Sequence, residues 1–163
     1  MRLATDRSMP SPSDQTLELL TASIGAVRSF PARYSIIPET ARFIETFCAS
    51  HDVGRDDGLR LTLIVEELVA NTIVHGHGGE SDAPIVIGFS VASDAVTLRY
   101  EDTAPAFDFA AALAQTIDPL DVDFDLRPVG NLGLRLLSHY ADSVSYARTS
   151  GRNQITLTLR RTP

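Results

Sequence analysis

Apolar and polar residues alternate along several short stretches of the chain, and this period of two is typical of strands that bury one face. The strands that it predicts are, in chain order, 26–36 with a break at Pro31, 85–91, 96–100, a strand beginning at Val144, and 155–159. Ser93 and Asp94 supply a turn signal between the second and third strands, so we expect a hairpin there. Gly151, Arg152 and Asn153 are predicted to form the turn before the last strand.

Other stretches have helical spacing, because their apolar residues recur every three or four positions. The helices that this spacing predicts are 39–50, about 56–74, and 133–141. Pro38 fits the start of the first helix, where the missing backbone N–H costs no hydrogen bond. Gly76 and the glycines after it end the second helix. These elements predict an α+β two-layer sandwich, in which helices pack on one face of a mixed, mostly antiparallel sheet.

Two segments show neither period. Residues 1–25 begin with closely spaced prolines and serines, and we expect them to form a mobile N-terminal tail. Residues 108–131 carry five aspartates and two prolines without a strong pattern, which is typical of a long loop. The 163 residues suit one domain of ordinary size. We therefore predict a single folded domain over 26–163.

Composition narrows the class of protein. Lys and Arg number 14 against 21 Asp and Glu, which gives a net charge of −7. Direct binding of nucleic acid is not expected, because phosphate contacts need clustered cations. Cys48 is the single cysteine, so an internal disulfide is excluded. No apolar run approaches the roughly 18 residues of a membrane span. We therefore expect a cytoplasmic protein without membrane contact.

A carboxylate and a carboxamide share one face of the second predicted helix. Glu67 and Asn71 are four residues apart, which places one a single turn above the other. Such a pair can hold a hydrated Mg²⁺ ion and accept a proton from a nearby group. The alternative is a polar helix face on which Glu66 and Glu67 are simply solvated.

Asp102 is predicted to point into the core. It shares the parity of Val96, Leu98 and Tyr100 in its strand, so alternation turns its carboxylate to the apolar face at the strand end. A charge in that position is costly unless it accepts hydrogen bonds. The donor is either a backbone amide of the following loop or a group on a ligand.

Two glycines open the third predicted helix. Gly130 and Gly133 allow a ligand to approach the backbone closely, and the free N–H groups at a helix start favour phosphate. Most glycine pairs of this kind are plain turns, so the pair alone does not decide between a turn and a phosphate site.

The three candidates occur together in an order that resembles the Bergerat-type (GHKL) ATP-binding fold. The closer resemblance is to the small serine/threonine kinases that act as anti-sigma factors, of the RsbW and SpoIIAB type. The segments that carry it are LIVEELVANTIVHG, similar to the family's N-box, EDTAPAFDF and RPVGNLGLRLLSHYADSVSY, similar to its two glycine boxes, and ARTSGRNQITLTLRR, similar to its last hairpin. The resemblance covers roughly residues 26–161.

The resemblance implies a role for each matching position. Asn71 would be a Mg²⁺ ligand, Glu67 the general base, and Asp102 the acceptor for the adenine amino group. The further nucleotide-binding positions would be Ala104, Ala106, Arg127, Gly130, Asn131, Leu132, Gly133 and Leu134. Residues 108–129 would form a lid over ATP. Ala104, Ala106 and Asn131 stand where the family often has glycine, but these departures remove no catalytic group.

The resemblance also implies a function and partners. The protein would bind ATP with Mg²⁺, phosphorylate a serine of an anti-anti-sigma partner of STAS type, and sequester a sigma factor according to the state of that partner. It would act as a homodimer. The alternative is a non-catalytic ATP-binding module that holds a regulatory protein without transferring phosphate.

Overall fold

The computed structural model describes residues 25–106, 137 and 139–162. The described elements are, in chain order, β1 (Ala26–Ala32), a 3₁₀ turn (Tyr34–Ile36), α1 (Ile37–Ser50), α2 (Arg55–Asn71), a π-helical turn (Thr72–His77), β2 (Ser81–Val91), β3 (Ala95–Asp102), β4 (Ser143–Thr149) and β5 (Arg152–Arg160). The predicted tail lies outside the described residues except for Gly25. The predicted lid over 108–129 and most of the helix predicted over 133–141 also lie outside them.

The five strands form one sheet in the order β1-β2-β3-β5-β4. All four pairings between described strands are antiparallel, so the prediction of a mostly antiparallel sheet is confirmed. The predicted β2–β3 hairpin is confirmed as well. Strand β3 lies at the centre of the sheet, and the end of β3 is therefore flanked by strands on both sides.

Alternation along the central strands builds the core. One face of the sheet buries the side chains of Ile85, Ile87, Phe89, Val96, Leu98, Tyr100, Ile155, Leu157 and Leu159. Apolar residues of both helices belong to the same cluster, among them Ile44 and Phe47 of α1 and Ile64 and Leu68 of α2. The predicted α+β sandwich of helices packed on one sheet face is thus confirmed.

The first strand is shorter than predicted. The pairing register of β1 with β2 shifts between Pro31 and Ala32, and the strand ends there rather than at Ile36. Proline has no N–H to donate, so Pro31 cannot continue a regular ladder of hydrogen bonds. The chain then turns through Tyr34–Ile36 into α1, which has Pro38 in its first turn as expected.

Helix α2 also ends earlier than the predicted Val74. Its regular α-helical part stops at Asn71, and a π-helical turn continues to His77. Gly78 follows in the left-handed conformation, with φ of 71°, which suits a residue without a side chain at a helix end. Wider π turns occur often at functional sites.

A buried carboxylate fixes the other end of α2. Asp57 lies in the first turn of the helix, where an acidic group complements the helix dipole. Its two oxygens accept hydrogen bonds from the backbone N–H and the hydroxyl of Thr162, at 2.9 and 2.6 Å. The segment after β5 is thereby attached to the start of α2.

The prediction that Gly151, Arg152 and Asn153 form a turn is wrong. Thr149 pairs with Arg152, so the β4–β5 turn consists of Ser150 and Gly151 alone. Both have positive φ, 52° and 78°, as a two-residue hairpin turn of type I′ requires. Asn153 consequently lies within β5, and its side chain is buried.

In the part of the chain that the structure describes, none of the helices combines the length and the apolar character that crossing a membrane would need.

Replacing Leu98 by Ala should test the position of the core. Leu98 is fully buried in the central strand β3, so the truncation should lower the free energy of unfolding by about 2–5 kcal/mol. Thr97→Ala, one residue earlier on the opposite face, should cost less than about 1 kcal/mol. Urea denaturation followed by circular dichroism measures both, and equal losses would contradict the assignment of faces.

Candidate functional site

Asp102, the last residue of β3, is buried with 6% of its surface exposed. Its Oδ1 atom accepts hydrogen bonds from the backbone N–H of Ala104, at 2.9 Å, and from Nδ2 of Asn153, at 2.7 Å. Its Oδ2 atom accepts from the hydroxyl of Thr72, at 3.1 Å. The predicted inward direction of Asp102 is confirmed, and a loop amide is one of its donors.

Counting acceptor positions shows what Asp102 can still bind. A carboxylate offers about four lone-pair positions, two on each oxygen. The two donors on Oδ1 occupy that atom, whereas Oδ2 receives one hydrogen bond from the described residues. One acceptor position on Oδ2 is therefore left for a further donor, such as an amino group of a ligand.

Thr72 and Tyr100 form a short chain of hydroxyl groups behind the carboxylate. The two hydroxyl oxygens are 2.7 Å apart, and the Tyr100 hydroxyl also lies 3.2 Å from the carbonyl oxygen of Leu68. Since Thr72 uses its single hydroxyl proton on Asp102, Tyr100 is the donor between the two hydroxyl groups, and its one proton is shared between Thr72 Oγ1 and the carbonyl oxygen of Leu68. Burial raises the pKa of Tyr100 well above its usual range, so the phenol keeps its proton.

Asn153 is a site residue that the sequence analysis missed. It is 3% exposed and lies opposite Asp102 in the pairing of β3 with β5. Besides Asp102, its amide nitrogen donates to the carbonyl oxygens of Ala104, at 3.1 Å, and Pro105, at 3.4 Å. The alternation of the last strand does indicate an inward side chain at this position, because Asn153 shares the parity of Ile155. The prediction of a turn over 151–153 excluded Asn153 from that strand.

The oxygen of the Asn153 side chain is hydrogen-bonded to two side chains of strand β4. It accepts hydrogen bonds from the Tyr146 hydroxyl, at 2.9 Å, and from Nη1 of Arg148, at 2.5 Å. Nη1 of Arg148 also donates to the carbonyl oxygen of Ala104, at 3.0 Å. The start of the loop after β3 is thus bound to both strands of the last hairpin.

Ala104 packs tightly against the end of the helix layer. It is 2% exposed, and a Cβ atom built on Gly76 would come within 2.7 Å of its methyl group. The same hypothetical atom would lie 3.9 Å from the carbonyl oxygen of Asn71. The π-helical turn that follows Asn71 therefore lies directly against the loop that follows Asp102. Ala106, two residues further on, is exposed.

Glu67 and Asn71 lie on α2, four residues apart as predicted, and both are half-buried. Partial burial, with a smaller contribution from the neighbouring charge of Glu66, raises the pKa of Glu67 above its usual value. A carboxylate with a raised pKa is a better proton acceptor at neutral pH than an ordinary surface glutamate.

The structure also tests how a metal ion could be held. Among the described residues there is no group of three or more His, Cys, Asp or Glu side chains that could hold one. Mg²⁺ usually takes only one or two protein ligands and completes its shell with water and phosphate oxygens. A single amide oxygen from Asn71 fits that pattern.

The other predicted nucleotide-binding residues lie outside the described part of the chain. They are Arg127, Gly130, Asn131, Leu132, Gly133 and Leu134. The described residues therefore bring together Asp102, Ala104 and the end of α2, and the phosphate-binding positions stay predictions.

Comparison with known proteins gives relatives that are named as kinases. The chain is 31% identical over 86 residues to the serine-protein kinase RsbW of Listeria monocytogenes, which is 52% of this chain and 54% of that protein. It is 32% identical over 103 residues to the serine/threonine-protein kinase BtrW of Bordetella bronchiseptica, which is 63% and 70%. The match to RsbW thus spans about half of that relative's length.

Comparison of the fold with solved structures is consistent with the sequence relatives. The solved structure of the SiaB–SiaC complex from Pseudomonas aeruginosa contains a chain that superposes with a TM-score of 0.60 at 13% identity, covering 90% of this chain and 99% of that one. This likeness concerns the fold alone. The family model described as the histidine kinase-like ATPase domain matches residues 30–159. The expected resemblance is confirmed, and the chain belongs to the histidine kinase-like ATPase domain family.

Proposed function

We propose that this protein is an ATP-dependent serine/threonine kinase of the anti-sigma type. The observation that carries the proposal is the buried carboxylate of Asp102, which has three protein donors and one acceptor position left, directly beside the end of the helix that carries Glu67 and Asn71. Its relatives RsbW and BtrW are named as serine or serine/threonine kinases, which supports the same activity.

Asp102 would recognise the base of ATP. The exocyclic amino group of adenine is a donor and fits the remaining position on Oδ2, whereas a 6-oxo group would place an acceptor against the carboxylate. The protein donors around Asp102 hold the carboxylate before the nucleotide arrives, so that binding needs little reorganisation.

The end of α2 would meet the phosphates. Asn71 would provide one oxygen ligand to Mg²⁺, which when bound would neutralise charge on the transferring phosphoryl group. The glycines at 130 and 133 would bring backbone N–H groups to the phosphate oxygens. Arg127 would add a positive charge from the lid over 108–129.

Glu67 would accept the proton of the attacking hydroxyl. The serine oxygen of the partner forms a bond to the γ-phosphorus, the bond from that phosphorus to the β–γ bridging oxygen breaks, and ADP leaves. The serine proton passes to Glu67, one helical turn from the proposed Mg²⁺ ligand Asn71. The raised pKa of Glu67 favours this transfer near neutral pH.

The phosphoryl acceptor would be a serine of a STAS-type anti-anti-sigma protein, and the phosphorylation state of that protein would control the sequestration of a sigma factor. The relatives named as serine-protein kinases support the kinase activity, and the structural neighbour was solved as the SiaB–SiaC complex, that is, bound to a partner protein. The sigma factor, the homodimer and the cytoplasmic location rest on the family resemblance.

Replacing Asp102 by Asn should abolish or strongly weaken ATP binding. Asn can turn its own NH₂ group toward the adenine amino group, and a donor facing a donor loses the hydrogen bond, so affinity should fall at least about tenfold. Titration calorimetry with ATP and Mg²⁺ measures the change. Glu101→Gln is the matched control, because Glu101 precedes Asp102 on the other face of β3 and pairs with Arg99. ATP affinity equal to wild type in the Asp102 variant would refute the adenine role.

Replacing Glu67 by Gln should leave ATP binding nearly unchanged and slow phosphate transfer about a hundredfold or more, because a positioned general base contributes about 10²–10⁴ to a rate. The assay follows radiolabelled phosphate from ATP to a STAS-type partner. Glu66→Gln is the matched control, since that side chain is turned about 100° around the helix. If the Glu67 variant transfers phosphate at the normal rate, the general base is another residue. If the wild-type protein binds ATP but transfers no phosphate, the alternative of a non-catalytic ATP-binding module is favoured.

The pH dependence of transfer should also identify the base. Glu67 accepts a proton only when ionised, so the rate should fall as the pH falls through its raised pKa. Removing the negative charge of Glu66 lowers the pKa of Glu67, and Glu66→Gln should therefore move the acidic limb of the rate profile to lower pH. An acidic limb that stays in place or moves to higher pH would contradict this coupling.

A further inference from the structure

Three polar residues lie in one row across the end of the sheet. Asp102 of β3 is directly opposite Asn153 of β5, and Asn153 is directly opposite Arg148 of β4. Residues opposite each other on antiparallel strands project from the same face. The row therefore runs along the core-facing side of the sheet from the central strand to the outer strand, with Asp102 and Asn153 buried and Arg148 exposed at its outer end.

The contacts along this row fix the orientation of the Asn153 amide. Its oxygen accepts from Nη1 of Arg148 and its nitrogen donates to Oδ1 of Asp102. A rotation of the amide by half a turn would place its oxygen against the carboxylate and its NH₂ group against the guanidinium. Both contacts would then be repulsive, so Arg148 and Asp102 together determine which way Asn153 points.

The same pair also holds the loop after β3. The carbonyl oxygen of Ala104 accepts from Nη1 of Arg148 and from Nδ2 of Asn153. The N–H of Ala104 is in turn a donor to Oδ1 of Asp102. Both donors on Oδ1 thus depend on the two side chains of the last hairpin.

We propose that Asn153 and Arg148 are positioning residues that give the nucleotide site its preference for a 6-aminopurine over a 6-oxopurine. This inference rests on the proposed binding of ATP. Asn153 donates to Oδ1 directly, and Arg148 holds Asn153 and Ala104, which are the two donors to that atom. Oδ2 is thereby left as the atom that meets the base, and the carboxylate is kept from rotating. A base with a 6-oxo group gains nothing from that arrangement, because it cannot donate to Oδ2.

The experiment measures affinity for ATP and for inosine triphosphate, which differs in having a 6-oxo group, by titration calorimetry of the full chain with Mg²⁺. Asn153→Ala should weaken ATP about tenfold and inosine triphosphate far less, so the preference for ATP falls about tenfold. Gln154→Ala truncates the neighbouring amide on the opposite face of β5 and should keep the wild-type preference. A role in stability alone would weaken both nucleotides equally.

Arg148 provides a second arm of the experiment. Its side chain acts on Asp102 through Asn153, so Arg148→Ala should lower the preference by a smaller factor, about threefold. Arg152→Ala removes the same charge from an exposed position in β5 and should change nothing. If the Asn153 variant does not fold, the nucleotide preference of the Arg148 variant tests the positioning role.

The outcomes separate the inference from the proposed function. A wild-type preference retained by folded Asn153 and Arg148 variants, with ATP still bound, would overturn the inference and leave the kinase proposal intact. Wild-type protein that binds neither nucleotide would overturn both. A preference reduced in both variants and unchanged in both controls would support the positioning role.

Discussion

The burial of one carboxylate at the end of the central strand constrains everything around it. An ionised group that leaves water must be compensated by hydrogen bonds, and one unpartnered charge in a core costs more than most single contacts contribute. Asp102 obtains its donors from three directions: the loop that follows it, the turn after α2, and the last strand. The positions of these three elements are therefore tied to one side chain.

Each of these elements has a local feature that makes the convergence possible. The π-helical turn begins at Thr72, whose hydroxyl reaches the carboxylate. The two-residue turn of the last hairpin leaves Asn153 inside β5, opposite Asp102. The first residues after β3 return the N–H of Ala104 to the carboxylate that precedes it by two residues. Such a network is arranged before any ligand binds, which is the condition for selective recognition at low cost in ordering.

The sequence predicted the sheet, both described helices and the inward direction of Asp102, because these follow from periods of two and of three to four residues. It could not identify the donors. Thr72 appeared as an ordinary residue within a longer helix, since the change from α to π hydrogen bonding leaves no mark in the apolar spacing. Asn153 falls in a predicted turn because glycine and asparagine close together, as in Gly151-Arg152-Asn153, are typical of turns. The spacing of Glu67 and Asn71 was predictable, but the roles assigned to them, and the lid over 108–129, stay predictions.

The close approach of Gly76 and Ala104 has a consequence for how the two layers move. Between them there is room for a single methyl group, and it belongs to Ala104. The π-helical turn and the loop after Asp102 thus touch with almost no free volume between them, so that neither can shift toward the other. Because helix and loop are in contact where the proposed phosphate and base contacts meet, a movement of one toward the other must push that other element aside, so closure on one half of the site is felt in the other half.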